Sequence, residues 1–164
     1  MQKPADRLMV IATDAGGRNP RARARRTAIP GVRPLIGRLH LLGHALIDAD
    51  HLAIADWWLR TVNCEPIQFV FFVARLRKLM QQHFDHEATL MEEAGGQMCR
   101  CHDQEHQRLL ALCDRARALG RSHWPKARSL LRTQLPRLVR EHIICMDQLT
   151  VLFINSREKI AGTC

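Results

Sequence analysis

Beyond residue 45 the apolar positions recur at intervals of three and four, and no segment shows the period of two that a half-buried strand requires. The first stripe, His51, Leu52, Ile54, Trp57, Trp58 and Val62, predicts a helix that begins near Asp48 or Asp50, either of which could cap it, and runs toward Asn63. Pro66 starts a second helix, whose buried face reads Phe69, Phe72, Leu76, Leu79, Met80, His83, Glu87 and Met91 before Gly95-Gly96 stops it. A third carries His102, His106, Leu109, Leu110 and Cys113 and ends at Gly120. The fourth holds His142, Asp147, Leu149, Leu152 and Phe153, with Leu130, Leu131, Leu135 and Leu138 leading in. Pro136 falls inside this last pattern, where it must kink the helix or split it in two. The predicted architecture is all-α: an antiparallel up-and-down four-helix bundle over residues 45–157, with a basic N-terminal extension, 1–44, and a short C-terminal tail, 158–164.

Four polar clusters interrupt these apolar stripes: His51; His83 with Glu87; His102 with His106; and His142 with Asp147. Partners about one helical turn apart project from one stripe, so seven potential metal ligands are expected to converge from four helices. Imidazole suits first-row metals, and each carboxylate offers two oxygens with which to bridge a metal pair. The set reads as a two-metal centre inside a helical bundle.

Composition agrees with such a bundle. In 164 residues, 46 % are hydrophobic and only 5 % aromatic, which suits one domain with an aliphatic interior. The longest strongly apolar run, 67–74, falls far short of the roughly 20 residues of a membrane span, and Leu8 to Thr13 is too short for a signal peptide. Arg25-Arg26 is followed by Pro30, Gly31 and Pro34 where an export signal needs an apolar stretch, so the expected location is the cytoplasm. There the six cysteines are expected to be free thiols or small core residues, with Cys145 buried; Cys99-Arg100-Cys101-His102 is the one local cluster that could bind zinc, although C-x-C is not the usual spacing of such a site.

Charge changes the picture only at the N-terminus. Residues 1–40 hold nine basic side chains (Lys3, Arg7, Arg18, Arg21, Arg23, Arg25, Arg26, Arg33, Arg38) against Asp6 and Asp14, so this arm carries +7 of the net +9. It is a candidate tail for nucleic acid or an acidic partner, although no Tyr, Trp or Phe is present there to stack on a base, and a solvated leader fits better. His40 and His44 with Asp48 could form an accessory metal site; capping or surface roles fit them better. His86 is expected to face solvent or a neighbouring acceptor.

The order Ile47-Asp48-Ala49-Asp50-His51, His83-Phe84-Asp85-His86-Glu87 with Met91, His102-x3-His106 and His142-Ile143-x3-Asp147 closely resembles the hemerythrin family, its bacterial members in particular, over roughly residues 45–155. The resemblance implies a non-heme centre of two oxo- or hydroxo-bridged iron ions that binds one O2 reversibly. By position, His102, His106 and His142 would hold one iron, His51 and His83 the other, and Glu87 and Asp147 would bridge them. O2 would take the open position on the iron with fewer ligands, in a dry pocket lined by Phe84, Leu138, Val139 and Ile143.

Where the family commonly has W-L-x-x-H, this chain has Leu138-Val139-Arg140-Glu141-His142. The smaller side chains imply a wider, wetter pocket and faster oxidation, which Leu138→Trp should slow. The family's second acidic residue is Ala88 here, and its aromatic-proline turn is Gly95-Gly96. No Glu-x-x-His or His-Glu-x-x-His occurs, which argues against a ferritin-like oxidase or a zinc protease. Reversible O2 carriage, storage or delivery, without enzymatic turnover, is therefore the expected function. A sensor acting through the basic arm and a weak peroxide-reducing enzyme are the alternatives.

Overall fold

The computed structural model describes residues 41–161. Residues 1–40 and 162–164 lie outside the described residues, and with them the basic arm, its candidate nucleic-acid or acidic partner, and His40. The described elements are α1 (Ala45–Asn63), α2 (Pro66–Glu93), α3 (Arg100–Gly120), α4 (Trp124–Thr133), α5 (Leu135–His142), a π-helical turn (Ile143–Asp147) and α6 (Gln148–Ala161). No strand occurs among the described residues. The last four elements together make the fourth arm of an antiparallel bundle, in which α1 packs on α2, α2 on α3, α3 on α4, and the fourth arm closes against α1, α2 and α3. Among the described residues no helix is long and apolar enough to cross a membrane.

Local chemistry sets most boundaries. Pro66 opens α2, where its missing N–H would have had no helical partner. At the other end Gly95 turns to φ +75°, and the amides of Gly95 and Gly96 donate to the carbonyls of Glu92 and Met91, a left-handed cap that satisfies the last turn. Pro136 splits the fourth arm, and α5 restarts with the proline in its first turn. The start of α1 differs from the expectation: it begins at Ala45, and neither Asp48 nor Asp50 is its N-cap. The Asp48 carboxylate instead accepts the amides of Leu42 (2.7 Å) and Gly43 (3.1 Å), which ties the incoming chain to the first turn. At the C-terminus helix persists through Ala161, into the segment expected to be tail.

One half of the bundle is an aliphatic core. Phe69, Val73, Leu76 and Met80 of α2 are fully buried against Trp58 and Val62 of α1, Leu109 and Cys113 of α3, and Leu131 and Leu135 of the fourth arm. The indole of Trp58 donates to the carbonyl of Leu131 at 2.9 Å, which satisfies its one polar atom and locks α1 to α4. The same three-and-four stripes then continue, without a break, into the polar clusters: Leu76, Met80, His83, Glu87 on α2 and His102, His106, Leu109, Cys113 on α3. Packing of the core thus fixes the azimuth of every stripe on which the site is built.

Gly120 closes α3 under Phe69, and a Cβ there would stand 2.6 Å from Phe69 Cδ1. That ring has no room to move. Gly120→Ala is therefore expected to lower stability by about 1–3 kcal/mol, although alanine is the better helix former by about 1 kcal/mol. Thermal unfolding decides it, since an increase in Tm would show that propensity outweighs the clash.

Candidate metal centre

The bundle brings all seven sequence-predicted ligands together. His51, His83, Glu87, His102, His106, His142 and Asp147 are each at most 6 % exposed, and two overlapping sets among them have donor atoms close enough to share an ion. Asp147 sits at the centre. Its Oδ1 lies 2.9 Å from His142 Nε2 and 3.5 Å from His102 Nε2, while its Oδ2 lies 3.0 Å from His51 Nε2 and 3.8 Å from His83 Nε2. Glu87 Oε2 faces His106, His102 and His83 at 3.2, 3.5 and 3.8 Å.

His142 and Asp147 are five residues apart, so the expectation of one shared helical turn fails for this pair. On a regular α-helix they would diverge by about 140°. The π-helical turn repairs this: Gln148 donates to the carbonyl of Ile143, an i→i+5 bond that widens the turn and swings Asp147 back to the interior.

Several donor atoms here are buried without any hydrogen-bond partner: both ring nitrogens of His83 and of His142, His102 Nε2, Glu87 Oε1 and Asp147 Oδ1. His142 Nε2 is close to Asp147 Oδ1, yet the two make no hydrogen bond. So dense a set of orphaned donors and acceptors would be costly in a closed core, at about 1–3 kcal/mol each. A pair of cations would satisfy them, and these residues fit that group.

Electrostatics point the same way. Burial on its own would push His83 and His102 down, but the carboxylates that face them prevail and raise the imidazoles to about 10 and about 9. Burial would likewise push Glu87 and Asp147 up, yet the surrounding imidazoles hold both below the usual carboxylate range. Burial drives His106 down. In the metal-free site His83 and His102 thus carry charge opposite the carboxylates of Glu87 and Asp147.

Asp50, which the sequence offers as a helix cap and as part of the motif around His51, stands instead behind the candidate ligand His83. Its Oδ2 lies 2.7 Å from His86 Nδ1 and 3.6 Å from His83 Nδ1, on the side of His83 away from the cluster. His86, with its imidazole partly exposed, therefore anchors a carboxylate that in turn faces the outer nitrogen of His83. Its partner is the neighbouring acceptor that the sequence reading allowed for.

Beside the cluster lies a cavity of about 30 Å3, room for one molecule the size of water or O2. Phe84, Val139 and Ile143 line it, with Trp58, Leu109 and Leu135 among the other apolar residues of its wall. Phe84 also stacks on His106, with ring centroids 3.7 Å apart and planes 12° from parallel. Leu138 does not reach the cavity. It lines an outer groove with Glu105, Arg108 and Cys145, which meets the cavity only at His142, because the inward stripe of α5 runs Leu135, Val139, His142 and leaves Leu138 one position off it. Trp58 of α1 also lines this small cavity.

The cysteines correct the sequence reading twice. Cys99 and Cys101 are joined in a disulfide, and Cys145 is exposed on the π-helical turn; Cys113 is the buried core thiol, pushed up to about 12 by burial.

The chain is 30 % identical over 127 residues, 73 % of its length and 86 % of the relative's, to a bacteriohemerythrin of Ralstonia nicotianae. No protein-family model and no solved structure matches it. A bundle of four helical arms, a buried histidine–carboxylate cluster and a relative covered over most of its length agree with one another: the chain belongs to the hemerythrin family.

Proposed function

We propose that this chain binds O2 reversibly at a non-heme di-iron centre and serves to carry, store or deliver O2 rather than to turn over a substrate. The observation that carries the reading is the division of Asp147, which turns one oxygen to His102 and His142 and the other to His51 and His83. A buried carboxylate shared in this way suits two cations and not one. His102, His106 and His142 would hold one iron, His51 and His83 the other, with Glu87 and Asp147 as bridges. Imidazole and carboxylate together are donors that iron accepts, and the ion with fewer protein ligands keeps a position for a small molecule. When bound, a ferrous pair supplies the electrons and the vacant position that O2 requires.

The remaining work falls to the protein. Asp50, 3.6 Å from the outer nitrogen of His83, places a negative charge behind that imidazole, and His86 holds Asp50 there at 2.7 Å. Phe84, Val139 and Ile143, with Trp58 behind them, keep water from the cavity, and no acid or base is needed there.

Two outcomes follow. Because His83 and His102 are raised to about 10 and about 9, both are protonated near pH 7 and must give up their protons in order to ligate. Loading the metal-free chain with Fe(II) under nitrogen is expected to release about two protons per chain at pH 7, and affinity should rise as pH climbs through 9 and 10. A pH-stat reads this, and uptake without proton release contradicts it. For function, the reduced protein should gain a visible band when O2 is admitted and lose it when O2 is purged, through repeated cycles. A single irreversible bleaching argues against reversible binding.

A further inference from the structure

Cys99 and Cys101 lie outside the ligand set but on the helix that carries two of its members. Both are exposed, and they are joined in a disulfide. Cys99 is the N-cap of α3, and its Sγ accepts the backbone N–H of His102 at 3.3 Å. Its carbonyl accepts the amides of His102 and Asp103. A cross-link between residues two apart closes so short a loop that it takes little freedom from the unfolded chain, so loop-closure entropy does not account for it. What the bond does reach is the first turn of α3, one residue before His102 and five before His106.

We propose that Cys99 and Cys101 form a thiol–disulfide exchange site, open to a small thiol such as glutathione, whose state sets the cap of the helix holding His102 and His106. The thiolate of one glutathione attacks Cys101 Sγ. The Cys99–Cys101 bond breaks, and its electron pair leaves on Cys99 Sγ, where the His102 amide and the N-terminal end of α3 receive the charge. A second glutathione thiolate attacks the glutathione sulfur of the mixed disulfide and frees Cys101. In balance, the protein disulfide takes up two electrons, the two protons of the thiols pass to the two cysteines, and glutathione disulfide leaves. In the oxidised chain the cap sulfur is pinned; in the reduced chain it rotates freely. Loosening the cap loosens the turn that presents His102.

The coupling to metal rests on the di-iron reading, whereas the exchange chemistry does not. The test takes full-length iron-loaded protein through mixtures of reduced and oxidised glutathione, quenches by alkylation, and maps the label by peptide mass so that Cys64, Cys113, Cys145 and Cys164 are read apart. Cys99 and Cys101 are expected to gain and lose label together and reversibly. Release of iron to a chelator should differ about fivefold between the two forms, the scale of one helix cap, and that dependence should vanish in Cys101→Ser. A pair that stays oxidised in excess glutathione, or stays reduced in excess glutathione disulfide, overturns the proposal, as does iron release that is the same in both forms. Labelling needs no metal, so a chain without iron sinks the functional reading alone; the coupling is then read from the unfolding temperatures of the two forms, and equal temperatures overturn it.

Discussion

Asp147→Ala is expected to leave a folded bundle that no longer holds a metal pair. Asp147 is fully buried and faces His51, His83, His102 and His142 together. Outer-sphere changes at metal sites weaken binding about 10- to 100-fold, and loss of a shared ligand should exceed the upper end of that range. In the metal-free variant the opposing effect is the loss of an anion beside imidazoles held at about 10 and about 9. An unpaired buried cation would cost about 3–5 kcal/mol, but these groups can deprotonate instead, so metal loss should be the larger effect. Metal content per chain, read beside helical content by circular dichroism, separates the two. A variant that still binds the full complement of iron would remove Asp147 from its place at the centre.

Phe84→Ala is the second large effect, and it acts on the cavity. The ring is 4 % exposed, stacks on His106 and walls the pocket. Its removal should cost about 3–5 kcal/mol, a fall in Tm of about 10 °C. It also enlarges a space of about 30 Å3 by most of a phenyl ring, enough for several waters beside the cluster. If the chain binds O2 as proposed, the reduced form should then decay faster, as followed by the visible band over time. Leu138→Trp is the control: Leu138 lies in the outer groove, so decay should be unchanged, contrary to what the motif comparison alone suggests. An accelerated or slowed Leu138→Trp would mean that the outer groove and the cavity communicate.

Where the sequence was legible, a repeating local rule made it so. The stripes through Phe69, Leu76, Met80, His83 and Glu87, and through His102, His106 and Leu109, follow from the helical period, and Pro66, Pro136 and Gly95 mark boundaries by their own stereochemistry. What was hidden depends on register between helices. Asp50 reaches His86 across 36 positions, and nothing near it in sequence marks that pairing. The five-residue gap between His142 and Asp147 was visible, but its consequence needed the wider turn that the packing of Ile143 and Asp147 selects. Leu138 and Val139 differ by one position, so only the azimuth of α5 decides which of them meets the cavity. Trp58 was read correctly as core, but its second role as a cavity wall comes from packing against Leu131 and Leu135.

The most direct measurement of the central claim is metal analysis together with the visible spectrum of protein purified in air. A pair of irons per chain and a charge-transfer band that responds to O2 are expected. A colourless protein that holds a single zinc would contradict that claim.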